Sequence, residues 1–173
     1  MMRFLRRRPG QRGFTLIEMI LSLALTSFIG LGASFAIAQV TRDTQRNSDY
    51  TTASQQAMNA VYWIGQDIQM AQTVTGTGLF PDSGDLVLTW IWWDNTEYTI
   101  TYSLVDGVLR RTYDDGAVTR DTVVAQYVSD DPELTYCASD NNSYSVSVTI
   151  GLGTGQNAIQ VTRFRDVAAR PHL

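Results

Sequence analysis

Few residues in this chain of 173 are of a type and spacing that would do chemistry. The single histidine, His172, is next to last, so a Ser-His-Asp or Cys-His arrangement would rest its base on a chain end, where order is least kept. Cys137 is alone, which rules out an internal disulfide and a cysteine metal site; it reads as a half-buried small apolar strand residue, with an intermolecular disulfide as the alternative. Paired carboxylates occur at Asp114-Asp115 and Asp130-Asp131, both in turn-like contexts that mark solvated acids. The runs Asp82-Ser83-Gly84-Asp85 and Asp140-Asn141-Asn142-Ser143 offer oxygen ligands without a complete calcium-loop pattern. No catalytic residue, cofactor or metal site is expected from these groups. Arg110-Arg111 with Tyr113, and Arg163 and Arg165 beside Phe164, place cations among rings as a nucleic-acid surface would. Local acids are their expected partners: from Asp49 onward fifteen acids face six arginines, a net charge of −9 that opposes binding to a polyanion. That leaves Glu18, a carboxylate inside an apolar run.

The element that must position Glu18 is residues 14–40, a nearly unbroken apolar run with that one charge. As a helix this run is about 40 Å long, enough to cross a bilayer. Five arginines (Arg3, Arg6, Arg7, Arg8 and Arg12) precede it and should stay cytoplasmic, which puts the rest of the chain on the far side of the membrane. One reading of this start is a secretory signal with Ala36-Ile37-Ala38 as a small-x-small cleavage site before Gln39. Such a signal has no use for an acid that costs about 2.5–3.5 kcal/mol at a helix centre in a membrane, and less near an interface.

The second reading accounts for the acid. Gly13-Phe14-Thr15-Leu16-Ile17-Glu18 after a basic leader resembles the cleavage site of type IV prepilins. In that family a membrane aspartyl peptidase cuts after the glycine on the cytoplasmic side and methylates the new terminal amine, here that of Phe14. Gly13 presents no side chain to obstruct a peptidase and interrupts helix continuity at the scissile bond. Phe14 then carries a cation beside an apolar span, with Glu18 one turn on. In an assembled filament Glu18 would neutralise the Phe14 amine of a neighbouring subunit in a low-dielectric core. Small residues four apart, Gly30 with Ser34 and Gly32 with Ala36, allow close helix approach, although such residues are common in any span. Major pilins commonly carry a proline about two-thirds along this segment. Here Phe35 stands at the mature chain's twenty-second position, which favours a minor subunit over a main filament subunit.

Beyond the span, Ala53, Ala57, Val61, Ile64, Ile68 and Ala71 recur at spacings of three and four, one apolar stripe on a continuing helix. Gly76 and Gly78 are expected to end it. After Pro81 the period becomes two. A strand is expected over 85–93 with Leu86, Leu88, Trp90 and Trp92 on one face; with Trp93 on the other, indoles on both faces imply cover by the long helix or by a partner subunit. Asp94-Asn95-Thr96-Glu97 should turn the chain into a strand in which Tyr98, Ile100, Tyr102 and Leu104 alternate with polar residues. Asp106-Gly107 is a hairpin signal leading into 108–113, and Asp115-Gly116 follows. Later strands are expected over 123–128, 134–138, 144–150 and 158–167.

The expected architecture is pilin-like α+β, a long N-terminal helix packed on a mostly antiparallel sheet. Its segments are a cleaved leader (1–13), a membrane and filament-core helix (14–40), an amphipathic continuation (41–75) and a β-rich head (76–173). Three stretches are similar to J-type minor pseudopilins and W-type minor pilins: Trp63-Ile64-Gly65-Gln66-Asp67-Ile68, the hairpin from Tyr102 through Asp106-Gly107 to Arg110-Arg111, and Val161-Thr162-Arg163-Phe164-Arg165-Asp166-Val167. The resemblance implies a non-enzymatic subunit of a type IV pilus or type II secretion-like pseudopilus, in a tip or priming complex. Its implied partners are a prepilin peptidase/methyltransferase, other pilins or minor pseudopilins, an inner-membrane assembly platform and membrane lipid. The competing class is a membrane-tethered or secreted extracytoplasmic binding domain with a signal-like leader.

Overall fold

The computed structural model describes residues 13–76, 84–140, 143–155 and 158–169. The arginine leader, Gly78, Pro81, Asp82, Ser83, Asn141, Asn142 and His172 lie outside the described residues. Among the described residues one helix, α1 (Leu16–Met70), is followed by eight strands: β1 (Thr73–Thr75), β2 (Leu86–Ile91), β3 (Glu97–Val105), β4 (Val108–Asp114), β5 (Thr119–Gln126), β6 (Tyr136–Asp140), β7 (Ser143–Leu152) and β8 (Ile159–Ala168). The chain divides into two compact units within α1, one up to Thr44 and the other from Gln45 onward.

In the first unit the apolar side chains from Phe14 through Val40, most of them on α1, are exposed. Its hydroxyls bond back to carbonyls of the preceding turn: Ser22 to Met19, Thr26 to Ser22, Ser27 to Leu23 and Ser34 to Gly30, at 2.8–3.0 Å. These hydroxyls in the apolar run are thereby satisfied inside the helix, as a hydrocarbon environment requires. By length and hydropathy this is a helix able to cross a membrane.

The second unit is α+β. β1 to β5 form a meander in sequence order, and β6 to β8 a second, three-stranded meander; all the named pairings are antiparallel. The expected stripe of Ala53, Ala57, Val61, Ile64, Ile68 and Ala71 is buried in full, joined by Ala60. It shares one core with Leu86 and Leu88 of β2, Ile100 and Tyr102 of β3, Leu109 of β4, and Val146, Val148 and Ile150 of β7. The Asp106-Gly107 turn closes β3 onto β4 with both residues at positive φ (50° and 72°), as a two-residue hairpin requires.

Five expectations need correction. α1 ends at Met70 rather than near residue 75, because Thr73–Thr75 pairs with β2, and its two threonines and valine suit a strand. Gly76 therefore serves that pairing and not a helix end: its φ is +78°, and a Cβ there would run into the Asp85 carbonyl oxygen. β2 stops at Ile91, so Trp92 and Trp93 sit in the turn rather than in the strand, 52% and 87% exposed within the chain itself. That turn spans Trp92 to Thr96, closed by Trp92 N–H donating to Thr96 O (2.9 Å), and Glu97 already belongs to β3. β5 begins at Thr119, four residues before the apolar signal at Val123. Its polar first half is held by pairing with β4 rather than by burial.

A register shift at Leu109/Arg110 buries Val124 and Ala125 in succession. The chain then leaves the first sheet at Tyr127, whose φ of 61° is unusual for a bulky residue. Val128 N–H donates to Gly107 O (2.9 Å), and Ser129 N–H to Thr149 O (2.8 Å), which ties the two sheets together.

Candidate functional site

Thr15 and Glu18 define the start of α1. Thr15 is its N-cap: its carbonyl accepts from the Glu18 and Met19 N–H groups at 3.0 and 3.2 Å, and its Oγ1 accepts from Glu18 N–H at 3.4 Å. Thr-x-x-Glu is the sequence pattern of a capping box, a signal in Thr15-Leu16-Ile17-Glu18 that the sequence reading passed over. A carboxylate in the first helical turn also faces the positive end of the helix dipole. Gly13 precedes the helix, and a Cβ there would meet nothing within 4 Å among the described residues. Phe14 and Glu18 are exposed, leaving both available to other molecules.

The other sequence candidates fall apart as a site. Asp114 and Asp115 accept backbone N–H bonds from Gly116 (2.8 Å) and from Ala117 and Val118 (3.0 and 2.7 Å), so they build the turn. The Val118 and Ala117 bonds hold the Asp115 carboxyl below its ordinary range. Asp131 caps its own turn through Glu133 N–H at 3.0 Å. Among the described residues no three His, Cys, Asp or Glu side chains converge as metal ligands would. Cys137 is fully buried rather than half-buried, and burial pushes its thiol up to about 12. Arg110 pairs with Asp121 at 2.7 Å across exposed β4 and β5, as local pairing predicts. Arg163 donates to Ser54 Oγ at 2.9 Å.

Arg111 is the residue whose partner sequence reasoning missed. Its Nε donates to Asp67 Oδ2 at 2.7 Å and a terminal nitrogen to Oδ1 at 3.1 Å, a bidentate pair, while Tyr102 O–H donates to Oδ2 at 2.5 Å. Asp67 is 1% exposed. The triad joins α1 to β3 and β4, so the helix is held to the sheet by a satisfied buried charge as well as by apolar packing. Burial and then the adjacent Asp67 charge drive the Tyr102 hydroxyl far above its ordinary range. Burial alone would lower the Arg111 guanidinium, but the bond and charge of Asp67 outweigh it and raise it.

Against known families, residues 8–34 match the one described as "Prokaryotic N-terminal methylation motif". Searches of the curated proteins and of the solved structures return no match. Fold and leader together define a class: the chain is pilin-like α+β, with a methylation-type leader opening a long apolar helix. The motif implies processing by a prepilin peptidase, and pilin-like proteins that carry it are typically structural.

Proposed function

We propose that the chain is a minor pilin- or pseudopilin-type subunit of a type IV pilus or type II secretion-like pseudopilus, placed in a tip or priming complex. The observation that carries this reading is Gly13-Phe14-Thr15-Leu16-Ile17-Glu18 at the mouth of a 55-residue helix that is exposed and apolar at its start and core-forming at its end. Cleavage after Gly13 would free the Phe14 amine for methylation. The exposed first half of α1 would hold the subunit in membrane lipid, head extracytoplasmic, until an inner-membrane assembly platform moves it into a filament at the cell surface or in the periplasm. There Glu18 would meet the Phe14 amine of the next subunit, two charges that a hydrocarbon core tolerates only when paired. The absence of a helix-breaking proline from the span supports a minor rather than a shaft position.

Terminal mass spectrometry of the membrane-extracted protein tests this directly. The expected mature chain begins at a methylated Phe14 and keeps its span. A soluble chain beginning at Gln39 would replace this reading with that of a secreted binding domain.

A further inference from the structure

β8 is the last strand of its sheet. It pairs with β7 along one side, and among the described residues no strand pairs with the other. Arg163 and Arg165 stand on the same phase of β8 as the buried Ile159, Val161 and Val167. Their neighbours across the pairing, Val148 and Val146, are wholly buried, so the core gives way to charge at this strand. Both arginines are held against the flank of α1. Arg163 donates to Ser54 Oγ at 2.9 Å and to the Thr162 carbonyl at 3.2 Å. The Arg165 guanidinium lies 6.0 Å from the Tyr62 ring. A Cβ on Gly65 would come within 3.1–3.2 Å of the Arg165 Cδ and Nη1, so α1 holds a glycine, a poor helix former, where that side chain crosses it. Both guanidinia are thus positioned. Yet among the described residues neither has a carboxylate within ion-pair distance, unlike Arg110 and Arg111.

Positioned cations without an anion, on a head at −9, call for an anionic group from outside, which an arginine fork binds as carboxylate or phosphate. The open edge decides between them. A row of strand N–H and C=O groups is answered by another polypeptide, not by nucleic acid or lipid. Nucleic acid and anionic lipid also carry the sign of the head. Antiparallel pairing of β8 with its own copy about the strand centre would set these arginines against each other, like charge opposite like. Inward-pointing charges of this kind blunt an edge against its own copy and admit a strand that answers them.

We infer that the open edge of β8 takes an extended acidic segment of a different protein, which pairs with the strand and sets carboxylates two residues apart beside Arg163 and Arg165. This rests on the assembly role proposed above and gives it a second contact, separate from Phe14 and Glu18. The test uses the full membrane-resident chain in its own cells. The photoreactive residue benzoylphenylalanine replaces Phe164, the exposed residue between the two arginines, or Trp93 as the control. The expected adduct from position 164 is to a second protein, through a peptide carrying Asp or Glu residues two apart, and position 93 does not give it. Arg163→Gln with Arg165→Gln should lower the yield about tenfold or more, as loss of interface anchors does. Arg165→Glu should do the same, and making the mapped acid basic in that background should restore the adduct, which a misfolded head would not allow. In the purified cross-linked complex, hydrogen exchange along 159–168 should be slower than in the free chain. No adduct, an adduct only to a second copy, nucleic acid or lipid, a yield unchanged by the arginine substitutions, no restoration by the charge exchange, or unchanged β8 exchange would overturn the inference. A chain that begins at Phe14 and assembles through Glu18 yet gives no adduct would overturn it alone, leaving the subunit role standing.

Discussion

Asp67→Asn tests the bond between α1 and the sheet. The wild-type carboxylate accepts three hydrogen bonds while almost wholly removed from water, two from Arg111 and one from Tyr102. The substitution keeps the shape, removes the charge and turns one acceptor into a donor aimed at a guanidinium. Arg111, with a side chain only 15% exposed, is left charged without a counter-ion. One-sided disruption of a buried pair costs about 3–5 kcal/mol. Against a total stability of about 5–15 kcal/mol that is a large fraction. Guanidinium unfolding of the full chain in detergent, followed by tryptophan emission, to which Trp63 against Arg111 contributes, would read the loss as a lower midpoint. Asp67→Leu, Tyr102→Phe and Arg111→Met combined should recover most of it, because replacing every polar member by an apolar one leaves none unpaired. If Asp67→Asn unfolded within about 1 kcal/mol of wild type, the triad would be solvent-compensated and the reasoning wrong. Equal losses in the triple and single variants would show that shape at this site matters more than charge.

Glu18→Ala should leave a chain that is processed and membrane-resident but absent from co-purified assemblies, since a neighbour's Phe14 amine would lose its counter-charge. Thr15→Ala, which removes only the helix cap, should cost about 1 kcal/mol of local helix stability and still assemble; if both variants assembled alike, Glu18 would be a capping residue and no more. Gly13→Leu should do the opposite and retain the leader, read as a mobility shift. Cys137 should resist thiol reagents in the native protein and react on unfolding. Because its folded pKa is raised, its contribution is intact below about pH 9 and is lost as pH rises towards about 12. Alkaline unfolding midpoints should show that limb flattened in Cys137→Ala.

Much of this fold was legible because its two periods are clean. The stripe from Ala53 to Ala71 and the inward alternation of Leu86, Leu88, Ile100 and Tyr102 put core residues where burial finds them. The failures share a cause: where pairing rather than burial holds a segment, hydrophobic period carries no signal. Thr73–Thr75 and the first half of β5 are strands because a neighbour offers backbone partners, and both are polar or short. Trp92 misled for the reverse reason, since its apolar side chain continued the alternation of β2 one step past the point where the backbone turns.

The triad was hidden differently, and its traces were present. Asp67 falls three residues after Ile64 and four before Ala71, on the buried stripe itself. Arg111 lies on the same phase of β4 as Leu109 and Tyr113, and Tyr102 on the phase of Ile100. A stripe position held by an acid and an inward strand position held by a base are each untenable alone, because an unpaired buried charge costs several kcal/mol. Each therefore implies the other. The antiparallel register sets Tyr102 directly opposite Arg111, which brings the third member to the same point. Polar residues on apolar phases specify how a helix docks on a sheet, since apolar contacts alone would permit several registers. In this head they also hold Arg111 between Trp63 and Tyr113, so the pairing that fixes α1 also brings a helix ring and a strand ring against one guanidinium.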